Sequence, residues 1–225
     1  MKLIQPNCRV QFTPEDIDFI VNVLHPKVKN ADTLLTLLAD EESRDLILDD
    51  ETLFRAVLED PKCLRISTHF YFYTLVRHVF RKSHLPERAL ADYVAELLAD
   101  FSRTENTELR VKKDAPPLHY YVDMLATLEQ VDKTTAFYIR AYVGNQSLFM
   151  CGVFPERIRY RARRCGAPDL RYYEEVGRAS YRVASNHRLA QEYELVNIFD
   201  TLSERFGETR RALNDLGDRL LMVGD

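Results

Sequence analysis

Apolar residues recur every three or four positions through nearly every segment of this chain, and nowhere do β-branched residues alternate with polar ones over a strand's length. That periodicity restricts the fold to the all-α class. We expect a multi-helix bundle of about nine to eleven helices, largely antiparallel. Apolar residues make up 46% of the chain and charged residues 29%, so a core can be buried and disorder is not expected.

Local signals place the first helices. Thr13 can cap, Pro14 suits the first helical position, and Glu15 and Asp16 favour the positive helix end, so a helix runs from here to about Leu24 before Pro26. Asn30 opens a short helix through Leu38, and Asp50 another through Glu59, which stops against Pro61. Asp40-Glu41-Glu42 and Asp49-Asp50-Glu51 read as loops or helix starts on a solvated acidic surface. Met1 to Lys62 holds 7 basic and 13 acidic residues, which marks 1–62 as an acidic short-helix subdomain packed on a main bundle of 63–225.

In the main bundle, Ile66 to Lys82 leaves almost no polar face and is expected to be buried on most sides. Pro86 to Phe101 reads as an amphipathic helix whose apolar stripe, Leu90 to Phe101, stands opposite Arg88, Asp92 and Glu96. Ser102 to Pro117 is polar and ends in two prolines, the best linker in the chain. Gly144 lies inside a helical pattern, where it costs about 1 kcal/mol against Ala, so a close helix crossing or a kink is expected there. Leu189 to Phe206 reads as one long helix closed by Gly207, followed by a last helix from Glu208 to Leu221.

The apolar window Thr134 to Phe154 contains Arg140, Asn145 and Gln146, so it is read as a buried bundle helix and no membrane partner is expected. Cys8, Cys63, Cys151 and Cys165 form neither a CxxC pair nor a disulfide framework, and no apolar leader follows Met1, which together point to free thiols and a cytoplasmic protein. The phosphate-loop, dinucleotide, serine-hydrolase, HExxH and EF-hand signatures are missing, as is Glu-x-x-His. Neither a cofactor nor a metal is expected.

One local anomaly stands out. From Glu156 to Arg188 there are 9 basic and 4 acidic residues, in a chain whose net charge is −4. On a helix, Arg157, Arg161 and Arg164 share a face while the other arginines point elsewhere. Their bland reading is pairing with the chain's own acids, Asp45 to Glu51 or Glu192 and Glu194. Their functional reading is a non-enzymatic adaptor or regulatory protein that binds another protein, or a second copy of itself, through Arg157, Arg161, Arg164, Arg171, Tyr173 and Arg178. A nucleic-acid partner for Arg157 to Arg188 is a further reading, disfavoured by the acidic chain as a whole.

A second constellation, His69, Tyr73, Arg77 and His78, sits on the aromatic helix. It suggests a pocket for an anionic ligand or a metal, with catalysis an option there. His69 and His78 are nine apart and face different directions, which excludes one helical metal pair.

Overall fold

The computed structural model describes residues 3–25, 31–60, 63, 65–103 and 121–222. Among them are thirteen α-helices and no strand, so the chain is all-α. They are α1 (Pro14–Leu24), α2 (Ala31–Ala39), α3 (Glu41–Leu48), α4 (Glu51–Glu59), α5 (Thr68–Lys82), α6 (Arg88–Phe101) and α7 (Tyr121–Thr127). After them come α8 (Lys133–Val153), α9 (Pro155–Cys165), α10 (Leu170–Ser185), α11 (Arg188–Glu192), α12 (Val196–Glu204) and α13 (Phe206–Met222). A 3₁₀ turn over Cys8–Gln11 precedes α1. The expected linker lies, beyond Arg103, outside the described residues. Two compact units emerge, Pro6–Ala99 together with the described residues from Asp218 on, and Asp100–Gly217 together with those before Pro6.

Two differences raise the helix number above the expected range. Of the two options for Asp40, loop or helix start, the second holds, and it adds a helix: the Asp40 carboxylate accepts from the Ser43 backbone N–H at 2.9 Å and starts α3. The stretch from Leu189 to Phe206 is not one helix but α11, α12 and the first residue of α13. The break follows Tyr193, where Glu194 adopts φ 57 and the N–H groups of Glu194 and Leu195 return to the carbonyls of Gln191 and Ala190. That is a Schellman stop with glutamate at the left-handed position usually held by glycine. His84 ends α5 the same way, with φ 57 and Leu85 N–H donating to the Phe80 carbonyl. Gly207 closes nothing; it is the second residue of α13.

In the unit Pro6–Ala99, Thr13 and Asp16 form the reciprocal cap on α1 that the sequence suggests, with Pro14 inside the first turn. Asp16 is fully buried, and its carboxylate also accepts from the backbone N–H and the hydroxyl of Ser67, each at 2.7 Å. Ser67 in turn caps α5 at the Phe70 N–H. One carboxylate thus ties two helix starts together. On α5, Phe70, Tyr73, Leu75, Val76 and Phe80 are buried, each large apolar side chain adding roughly 1.5–3 kcal/mol over exposure.

α6 differs from its amphipathic reading. From Leu90 to Ala99 every residue is buried, Asp92 and Glu96 included. The polar face stands against the Cys8–Gln11 turn and not against water: Arg9 N–H donates to Asp92 at 2.9 Å and the Gln11 amide to Glu96 at 2.8 Å. A buried carboxylate without such partners would cost several kcal/mol.

In the unit Asp100–Gly217, α8 and α10 cross closely. A Cβ on Gly144 would stand 2.8 Å from the Tyr181 ring, and one on Gly177 2.6 Å from Phe206 and 2.8 Å from Ser147. Gly144 therefore marks the close crossing expected as one of two options. Tyr181 hydroxyl donates to Asn145 Oδ1 at 2.8 Å in the same core, which explains a polar residue inside the apolar window. Among the described residues no helix is long and apolar enough to cross a membrane.

Candidate functional site

Pro155 opens α9 and Gly166, at φ 62, closes it. Only Ile158 is buried, so a single residue anchors eleven. Everything cationic on the helix points outward: Arg157, Arg159, Arg161, Arg163 and Arg164 are all exposed, and Tyr160 is 63% exposed. α10 begins beside it with its own cap, Asp169 accepting from the Tyr172 N–H at 2.9 Å.

The surface has two flanks. On one, Arg159 and Arg163 join Arg171 and Arg178 of α10 around a groove of ≈ 700 Å³ that also contains Glu174 and Glu175. Charge there is partly matched: Arg159 pairs with Glu156, Arg171 with Glu175 at 2.8 Å, and Arg178 donates to the Ser203 carbonyl at 3.0 Å. The other flank holds Arg157, Arg161 and Arg164, which make no ion pair among the described residues. Arg161 lies close enough to Tyr173 to lower its pKa, although burial dominates and pushes that phenol up.

The six residues expected to act together are therefore divided between the flanks. Arg171 and Arg178 line the groove, together with Arg159 and Arg163, which the helical-face reading set aside. Arg161, which shares its helix face with Arg157 and Arg164, lies near Tyr173 on the other side. Among the described residues, Asp45 and Asp49 pair with arginines of their own unit, Arg9, Arg77 and Arg88. Of the alternative acids, Glu192 pairs with Arg188 at 3.3 Å.

The second constellation is an ionic lock. Arg77 Nε and Nη2 donate to the two oxygens of Asp49 at 2.8 and 3.1 Å, and Nη1 donates to the Pro86 carbonyl at 2.6 Å. Arg88 reaches the same carboxylate at 2.8 Å, and Arg9 reaches Asp45 at 2.6 Å. Asp49 is thus half-enclosed and not a solvated acid: burial raises its pKa, but the Arg77 and Arg88 bonds and charges outweigh that and hold it below the usual aspartate value. Asp92 goes the other way, pushed up by burial despite the Arg9 N–H and charge.

Tyr73 is fully buried beneath the Arg9 guanidinium, 5.6 Å from its ring centre, and burial pushes its hydroxyl up to about 12. It is a neutral phenol, unsuited to act as a base. His69 Nε2 lies 3.3 Å from Glu96, whereas His78 stacks on Phe54 with ring centres 3.5 Å apart and faces Glu51 at 3.4 Å. The two histidines are held by different acids, in keeping with their spacing. No group of three or more histidine, cysteine or acidic side chains is placed to hold a metal among the described residues.

Sequence reasoning did not assemble Arg9, Asp45, Asp49 and Arg88 into this lock. A signal exists: Asp45 and Asp49, Arg77 and Arg81, and Arg88 and Asp92 each sit four apart, so three helices carry charged pairs on one face. Comparison with protein-family models, with curated proteins and with solved structures finds no match to this chain.

Proposed function

We propose that the protein is a non-enzymatic adaptor or regulator that binds an acidic protein surface through the exposed arginines of α9 and the neighbouring face of α10. The observation that carries this reading is that Arg157, Arg161 and Arg164 stand exposed on a helix anchored by Ile158 alone, with no ion pair among the described residues. Arginine forks suit carboxylates, and arginine with tyrosine is the pairing enriched where binding energy concentrates. Tyr160 supplies the exposed aromatic face beside them. The anionic-ligand pocket at Arg77 has less in its favour, because Asp49 already fills the guanidinium fork.

A labelled glutamate-rich peptide tests the reading by fluorescence anisotropy. Wild type binds it at low salt, and Arg161→Glu/Arg164→Glu weakens binding by about tenfold or more. Equal binding by both proteins rejects the proposal. A strong preference for a single-stranded RNA of matched charge, with a steep salt slope, replaces it with nucleic-acid binding.

A further inference from the structure

We infer that the acidic partner of the α9 surface is a second copy of this chain, which contributes the exposed face of α2 and α3. The inference rests on the binding surface proposed above and names its occupant. Residues 31 to 60 carry ten acids against two arginines, an excess as marked as the arginine excess from 156 to 188. Asp45 and Asp49 are neutralised inside their own unit, but Asp40, Glu41 and Glu42 face outward. The chain therefore presents both halves of a charge-complementary contact.

Apolar surface is matched in the same way. Leu34 and Leu38 give α2 its buried side, while Leu35 and Leu37 remain 45% and 38% exposed, and Leu46 on α3 is 71% exposed. Tyr160 and Val183, at 63% and 53%, are the exposed apolar residues among the arginines. Apolar side chains rimmed by charge are what an interface core needs, here acid-rimmed on one face and arginine-rimmed on the other.

Like charge prevents either face from pairing with itself, so a two-fold contact of α9 on α9 is disfavoured. The contact joins two different faces, so two copies either exchange both contacts in a closed dimer or leave one face of each kind open for further copies.

Sedimentation velocity on the full chain tests this. Wild type gains mass with concentration at low salt and returns to monomer at high salt. Arg161→Glu/Arg164→Glu and Glu41→Lys/Glu42→Lys are each monomeric alone, whereas an equimolar mixture assembles because each reversed face meets its complement. Leu46→Lys, which places a cation at the helix end that favours one, is a second monomeric variant in case Glu41→Lys/Glu42→Lys fails to fold. Wild type that stays monomeric at low salt and high concentration overturns the inference, as does a mixture that fails to assemble while both variants are folded. If wild type is monomeric yet binds the glutamate-rich peptide through Arg161 and Arg164, the binding surface stands and only its occupant is wrong.

Discussion

Arg77 and Asp49 meet fork to fork, Nε and Nη2 on the two carboxylate oxygens at 2.8 and 3.1 Å, with side-chain exposures of only 6% and 11%. Removing one partner from such a pair leaves the other charge buried and alone. Asp49→Ala is expected to lower unfolding free energy by about 3–5 kcal/mol in urea titrations, since it strands Arg77, while Arg88 keeps Asp45 at 3.1 Å. Arg81→Ala removes a contact to the same acid at 3.8 Å from a side chain 45% exposed, and is expected to cost less than about 1 kcal/mol.

Opposite pKa shifts at Asp49 and Asp92 give opposite pH signs. Asp49 titrates below the ordinary aspartate value in the fold, so its stabilising contribution is complete above about pH 4 and is lost as pH falls through the lower folded value. Asp92 titrates above the ordinary value, so the fold binds its proton more tightly and its ionisation opposes folding as pH rises through the raised value. In urea melts from about pH 7 to pH 3, Asp49→Asn flattens the acid-side decline in stability. Asp92→Asn steepens that decline slightly and costs little at neutral pH.

Gly177 has no room for a side chain. An added Cβ would sit 2.6 Å from Phe206 and 2.8 Å from Ser147, so Gly177→Ala is expected to destabilise by about 1–3 kcal/mol through overpacking. Gly166 has open space around it but φ +62, so Gly166→Ala is expected to cost about 1 kcal/mol through the backbone instead. Thermal melts of the two variants, with a crystal structure of the first, separate crowding from strain.

On α9, Arg161→Glu/Arg164→Glu alters only exposed side chains. Its unfolding midpoint in urea is expected to match wild type within about 0.5 kcal/mol while binding to an acidic peptide falls. A large loss of stability would instead assign these arginines to holding the fold.

The caps of α1 and α4 were legible because a capping carboxylate or hydroxyl acts within two or three residues of itself. The stop after Tyr193 was not, because Glu194 takes the left-handed conformation without the glycine that would announce it. The arginines of α9 stand out in the sequence as a cluster, but their division into two flanks depends on where α10 lies. For Asp92 and Glu96 a helical wheel offers only a polar face; that the face is covered by Arg9 and Gln11 is a tertiary fact.

That cover has a consequence for the order of events at the ribosome. Arg9 and Gln11 precede their partners on α6 by 83 and 85 residues. At about 5–20 residues per second, the turn leaves the exit tunnel roughly 4 to 17 s before Asp92 does. Throughout that interval the Arg9 backbone N–H and the Gln11 amide stay hydrated, and the carboxylates that cover them arrive last.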